Sequence, residues 1–392
     1  MRDLRDPVII DVVRTPTGKG KTGGALSHIH PVSLLADVLA ALVNRSGIDP
    51  ALIDDVIGGC VTKSGEQAIN VTRSAVLAAG FPFSVPATTV DRQCGSSQQA
   101  VSFAAQAIKS GAADIVIACG VESMSRVPMH SDALQADHLG SRLRQRFPTG
   151  LIGQGISAEL ICARWDLDRA RLDAYAAESH RRAIAARESL AGDLISPTEA
   201  PDLRDDETVR ETSTTDALAR LSPAFIGAPG SERFPEIRCH VTPGNSSPLS
   251  DGAAGVLLMS AARAKELHLT PRARVHETAV IGDDPILMLM GVVPATHKVL
   301  RRAGLSLDDI DLFEVNEAFA AVALAWMQET NVDHDRVNVA GGAVALGHPL
   351  GASGARIMTT LVGMLENTNG RYGLQTMCEW GGMANATVIE RL

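Results

Sequence analysis

"TTVDRQCGSSQQAVSFAAQAIKSG" (residues 88–111) changes its grammar part-way along. Thr88, Thr89 and Val90 are β-formers. Beyond Gly95 the sequence is rich in Ala and Gln, with Ala100, Val101, Ala104, Ala105 and Ile108 at helical spacing. The stretch reads as a strand that turns into a helix, with Cys94 at the junction. Unpaired amides and the positive end of the helix dipole at such a junction favour a thiolate. A free cysteine is equally a small hydrophobe that cores bury readily, so a reactive thiol and a packing residue are both open readings of this stretch alone.

The same layout occurs twice. "SGIDPALIDDVIGGCV" (46–61) reads as a helix end, a turn and a short strand, and "AGLSLDDIDLFEVNEAFA" (303–320) repeats that order, with Ile53-Asp54 and Ile310-Asp311 257 positions apart. Some forty residues further on, a strand again leads through small residues into a helix, in residues 88–111 and in "VNVAGGAVALGHPLGASGARIMTTLVGMLE" (337–366). Each copy then supplies an apolar strand, "DIVIACGVES" (114–123) and "LQTMCEWGGMANATVIE" (374–390), in which Cys119 and Cys378 stand 259 positions apart. A shared order at a nearly constant offset predicts an internal duplication, and strands alternating with helices predict two α/β halves.

Residues 122–245 fit neither copy. They are charged, as in "SRLRQRFP" and "PDLRDDETVRET", and broken by Pro, Gly and Ser; "DRARLDAYAAESHRRAIAARES" predicts a helix with Leu172, Tyr175 and Ala176 on its apolar stripe. The segment reads as an inserted loop domain, for ligand contacts or as an oligomerisation arm. The division is thus 1–121 with 246–270, 122–245, and 271–392.

A chain of 392 residues is too long for one simple core, and 45% hydrophobic content with 3% aromatics suits close-packed helices on buried strands. A net charge of −9 argues against a nucleic-acid phosphate track. The cysteines are Cys60, Cys94, Cys119, Cys162, Cys239 and Cys378; none forms a CxxC pair or a zinc-type cluster, so no metal site is expected and a reducing cytoplasm is. "MRDLRDPVIIDVV" (1–13) lacks a signal-peptide apolar region, no apolar run is long enough to span a bilayer, and "NATVIERL" reads as a last strand rather than a peroxisomal address.

Four strand-to-turn junctions carry chemistry: Cys94; Asn316 and Glu317 in "EVNEAFAAVALAW"; His348 in "LGHPLG"; and Cys378 in "CEWGG". In α/β folds the carboxyl ends of strands line the ligand crevice. A thiolate both accepts and releases an acyl group, a histidine supplies its base, a second thiol can carry protons, and amides of Gly-rich turns can hold an oxyanion. The pattern suits acyl transfer through a thioester. Glu317 reads as a residue that caps or orients its turn, or one that takes part; Cys60, Cys119, Cys162 and Cys239 read as packing residues.

From "VRTPTGK" (13–19) to the C-terminus, the chain resembles the thiolase family, most strongly in "QCGSSQQA", "VNEAFA" and "GGAVALGHPLGASGAR", with further matches in "ESMSRVPM", "PGNSSPLSDGAA" and "MGVVPA". The resemblance implies a five-layer α/β/α/β/α core of two halves with a loop domain, and an acyl-CoA C-acyltransferase of lipid metabolism that cleaves 3-ketoacyl-CoA with CoA or runs the reverse condensation. Cys94 resembles the acylated nucleophile, His348 its base and Cys378 the acid/base. Asn316 resembles the residue that, through a water and with His348, forms one oxyanion hole; the amides of Cys94 and Trp380 correspond to the other. Ser247, Phe319 and, more loosely, Arg210 match positions on the CoA side. The resemblance further implies CoA as substrate or product, no permanently bound cofactor, and a homodimer or homotetramer.

The chain departs from the family at Trp380, where glycine is usual; at Ala340, where asparagine is usual; at Pro248; and in "GQGISAEL". The Trp380 indole is expected to pack outward on the loop domain, because overpacking a close site is costly. Two other readings are an acyl-CoA-binding protein whose catalysis Trp380 impairs, and a ketoacyl-ACP synthase, a family that generally uses two histidines rather than a Cys378-like thiol.

Overall fold

A computed structural model describes residues 4–392. Its strands are β1 (Pro7–Arg14), β2 (Gly18–Lys19), β3 (Asp55–Gly59), β4 (Ala87–Val90), β5 (Ile115–Ser123), β6 (Ser250–Ser260), β7 (Ala273–Gly282), β8 (Leu312–Val315), β9 (Tyr372–Glu379) and β10 (Met383–Arg391). The helices are α1 (Pro31–Ser46), α2 (Val71–Ala78), α3 (Ser96–Ser110), α4 (Gly140–Arg146), α5 (Gln154–Arg164) and α6 (Arg169–Ala186). They continue with α7 (Thr215–Leu218), α8 (Ala261–Glu266), α9 (Val292–Ala303), α10 (Ala320–Thr330), α11 (Ala343–Leu346) and α12 (Ser353–Thr368).

The strand order is β4-β3-β5-β6-β1-β7-β10-β9-β8, with β2 against β6. It divides at the β1–β7 pairing, which holds through only Val8 with Arg274 and Ile9 with Ala273. Two half-sheets thus meet edge to edge. Helices α1 and α2 cover the outer face of the first, burying Leu34, Leu35, Leu39 and Leu42 at about 1.5–3 kcal/mol each. Helices α9 and α10 cover the second, where Trp326 of α10 packs on Phe313 of β8 with ring centroids 5.2 Å apart. Between the half-sheets lie α3 and α12, packed on each other and on strands of both. The result is the five-layer α/β/α/β/α arrangement.

The duplication is visible in hydrogen bonds. The Asp54 carboxylate accepts the N–H groups of Asp114 and Ile115 at 2.7 and 2.9 Å, and that of Asp311 accepts those of Arg371 and Tyr372 at 2.7 and 2.8 Å. Each aspartate thereby ties the turn before one strand to the start of its neighbour. The parallel registers agree as well, since Asp55 faces Val116 in β3–β5 and Leu312 faces Gly373 in β8–β9. In this register Cys119 of β5, opposite Gly58, corresponds to Thr376, opposite Val315. The 259-position match of Cys119 with Cys378 is therefore corrected: the two cysteines are not equivalent.

Between β5 and β6 the chain forms α4–α7 and short turns. Leu172, Tyr175 and Ala176 of α6 are buried, as the stripe predicts, and α5 and α6 rest on α10.

The two central helices meet where both begin. A Cβ on Gly354 would overlap the Gln98 backbone, and the Ala355 N–H donates to Ser97 Oγ at 2.9 Å. Only a residue without a side chain allows this approach. Gly354→Ala should therefore destabilise the protein by about 1–3 kcal/mol, read as a lower urea midpoint. An unchanged midpoint would show that the helices separate without cost.

Candidate active site

Cys94 sits in a tight turn between β4 and α3. Gln93 adopts a left-handed backbone with φ 50°, which few non-glycine residues tolerate. The turn is held by Ser96, whose Oγ accepts the Arg92 N–H at 2.9 Å and donates to the Gln93 carbonyl at 2.6 Å. Gly95 follows because a Cβ there would collide with the Glu379 carboxyl; Asn385 Nδ2 donates to its carbonyl at 3.0 Å.

His348 lies in the loop between α11 and α12. Its Nδ1 is 2.6 Å from Ser353 Oγ, and that hydroxyl donates to the Pro349 carbonyl at 2.8 Å. Ser353 therefore accepts from Nδ1–H, which leaves Nε2 as the unprotonated nitrogen. Nε2 faces Asn316 Nδ2 at 3.5 Å, while Asn316 Oδ1 is buried without a partner. Leu350, two residues beyond His348, packs in the same buried cluster as Cys94.

Two buried carboxylates fix the loops. Glu122, at the end of β5, accepts the N–H groups of Val61, Thr62 and Gly351, and so binds the His348 loop to the first half. Glu317 accepts Tyr175 Oη and Asn338 Nδ2 on one oxygen, and Ser179 Oγ and the Val344 N–H on the other. Fully engaged, Glu317 orients its turn. Such charge-assisted bonds are worth about 1.5–3 kcal/mol each.

Cys378 is buried on β9, opposite Ala384 of β10. Trp380 occupies the β9–β10 turn, outside the left-handed backbone region that Gly381 and Gly382 adopt. Its indole meets His138 of the inserted segment edge-on, centroids 6.5 Å apart. His138 itself lines the pocket, so the expectation of an indole packed outward and clear of the substrate space is corrected. A cavity of about 440 Å³ opens at Cys94, and Trp380 walls it together with Val61, Met129, His130 and Leu350.

Burial decides the charge state. Desolvation, the neighbouring Cys378 and Glu379 raise the Cys94 thiol well above its ordinary range, although its own amide and the Gln154 side chain work the other way. The thiolate expected from the helix start is thus not preformed: loss of water outweighs the dipole. Burial and the nearby Arg356 guanidinium lower His348 to about 3, leaving the imidazole neutral. Burial and Glu379 push Cys378 up to about 12.

The remaining positions are more dispersed. Ser247 Oγ donates to the Ala318 carbonyl at 3.1 Å, beside Phe319, which packs on Phe225. Arg210 is exposed, and its N–H is held by His180 Nδ1 on α6. Ala340 is buried against Ala186 and Leu190. Cys60, Cys119 and Cys162 pack in the core, whereas Cys239, expected with them, is half-exposed in a left-handed turn. Sequence reasoning passed over Gln154, Ser353 and Glu379; the last stood next to Cys378, but only the fold brings it under Cys94.

Comparison with known proteins bears on this geometry. Residues 7–262 match the thiolase N-terminal domain and residues 269–391 the thiolase C-terminal domain. The chain is 46% identical to the steroid 3-ketoacyl-CoA thiolase FadA6 of Mycobacterium tuberculosis, over 99% of this chain and 95% of that protein. It is 43% identical to the 3-ketoacyl-CoA thiolase of Pseudoalteromonas translucida, over 99% and 100%. The crystal structure of the Bacillus anthracis acetyl-CoA acetyltransferase superimposes with a TM-score of 0.86 at 37% identity, covering 99% of both chains.

With thiol and imidazole both neutral, alkylation of Cys94 by iodoacetamide should climb with pH through neutrality. Peptide mass spectrometry of the adduct measures it. An acidic plateau below about pH 6, the mark of a preformed thiolate–imidazolium pair, would contradict the assignment.

Proposed function

The chain belongs to the thiolase family and is an acyl-CoA C-acyltransferase, and we propose that Cys94, His348, Cys378 and Asn316 run its reaction through an acyl thioester on Cys94. The observation that carries this reading is the His348 tautomer: Ser353 occupies Nδ1, so the unprotonated Nε2 is turned to Asn316 Nδ2 at 3.5 Å.

In thiolysis, Cys94 Sγ attacks the 3-keto carbon and its proton passes to His348 Nε2. The C2–C3 bond breaks, and the departing acetyl-CoA carbanion takes the proton of Cys378. Incoming CoA gives its thiol proton to the Cys378 thiolate and attacks the acyl carbonyl. Cys94 leaves as thiolate and recovers its proton from His348. Amides of Cys94 and Trp380 stabilise one oxyanion, and His348 with Asn316 the other. Ser247 and Phe319 line the CoA side, with Arg210 as a looser candidate; CoA enters and leaves as substrate.

The cavity supports an acyl group larger than acetyl, since about 440 Å³ lies in the range of pockets that enclose drug-sized ligands. The steroid thiolase among the relatives agrees with a bulky substrate. We further read 122–245 as the loop domain between the halves 1–121 with 246–270 and 271–392. The protein is proposed to be cytoplasmic, supported by six free cysteines. No helix among the described residues is long and apolar enough to cross a membrane. A homodimer or homotetramer is supported by the outer edge of β4, which ends the strand order, and by exposed Ile69 and Phe83.

Brief exposure to a 3-ketoacyl-CoA should place the acyl mass on the Cys94 peptide; an adduct confined to another cysteine would sink the assignment. Cys94→Ser should lose most turnover while keeping the fold. His348→Ala should slow acylation by about 10²–10⁴-fold, whereas Cys378→Ala should acylate and then stall. Equal loss of acylation in both would contradict the division of roles. Trp380→Gly should shift the ranking of thiolysis rates toward bulkier acyl groups, and an unchanged ranking would place the indole outside the substrate's path.

A further inference from the structure

Glu379 is buried at the end of β9 with neither carboxylate oxygen hydrogen-bonded. Leaving a buried carboxyl unpaired is costly, unlike Glu122 and Glu317, whose oxygens are fully engaged. Its position is specific. The carboxyl presses on Gly95, where no Cβ can fit, so it touches the turn that carries Cys94; in sequence it follows Cys378 directly. The charged groups facing it are Arg92 and Asp91 on the segment leading into that turn, and β10 contributes the neutral Asn385. Arg92 does not close an ion pair: its Nε is buried and unpartnered, and its Nη1 reaches Met383 Sδ at 3.9 Å.

We propose that Glu379 is a positioning residue for the acyl transfer, a buried carboxyl against the Cys94 turn whose ionisation in mild alkali adds to the burial that keeps Cys378 in its proton-donating form. The inference rests on the roles given to Cys94 and Cys378 above. Burial, offset in part by Arg92, raises Glu379 to about 8. The carboxyl is therefore largely neutral near neutrality and ionises as the pH climbs past that value, ahead of either thiol. Its negative charge then opposes thiolate formation at both cysteines, in agreement with the contribution of Glu379 to each. Cys378 needs its proton to quench the acetyl-CoA carbanion, and in alkali the charge of Glu379 adds to the burial that keeps that proton in place.

The test compares wild type, Glu379→Gln and Arg92→Gln. Iodoacetamide alkylation of Cys94 and Cys378 is followed by peptide mass spectrometry from about pH 6 to about pH 10. Glu379→Gln should alkylate at the wild-type rate near pH 6.5 and several-fold faster above about pH 8. A variant-to-wild-type ratio that is constant across pH marks a packing role and overturns the proposal. Arg92→Gln keeps the carboxyl but removes its cation, so the restraint on the thiols should set in at higher pH; an unmoved onset also overturns it, even if the Glu379→Gln variant fails to fold. Acyl transfer from substrate to wild-type Cys94 separates the two levels: without it the catalytic assignment falls, and with it a flat ratio removes the role of Glu379 alone.

Discussion

The crossing of α3 and α12 is the contact on which the rest of the molecule depends. Gly354 lies on the Gln98 backbone, and Ser97 Oγ takes the Ala355 N–H at 2.9 Å. Both helices are central, so each is clamped by strands of both half-sheets and has little freedom to slide. Because they touch at their first turns, the segments that feed them, one ending in Cys94 and the other carrying His348, are forced to the same place. A looser crossing would leave every strand and helix intact while separating Cys94 from His348.

Around that point the protein uses charge sparingly. Helix dipoles and backbone amides invite a thiolate, but removing the thiol from water weighs more, and the site rests with Cys94, Cys378 and His348 all uncharged. Carboxylates take two forms nearby. Glu122 and Glu317 are held by amides and hydroxyls and act as clamps between segments distant in the chain. Glu379 and Glu314 lack such an embrace and are both raised to about 8. Burial raises Glu122 as well, against the pull of its amide and Gln67 partners.

Much of this was legible in the sequence, for a physical reason: repeats of small residues and aspartates at fixed spacing constrain local backbone, and local constraint is what a sequence displays. Ile53-Asp54 and Ile310-Asp311 pointed to the duplication because each aspartate answers two amides about sixty residues away. Matching Cys119 with Cys378 failed because residue identity was followed in place of strand register. The role of Glu317 needed Tyr175 and Ser179 from the far side of the inserted segment. The neutral state of Cys94 needed its burial. Neither is written in any local pattern.

The duplication has a consequence for how such a site can arise. Extending the offset of 257 places Ser96 on Ser353, the first residues of the two central helices, and so sets Cys94 against Gly351 and Asp91 against His348. In a symmetric pair of identical chains, equivalent turns around the twofold axis would have to carry identical side chains, and two thiols or two imidazoles would face one another. Joining both copies in one polypeptide releases that constraint. One turn is free to carry a thiol and the other an imidazole, while the helices that follow them keep their matched starts.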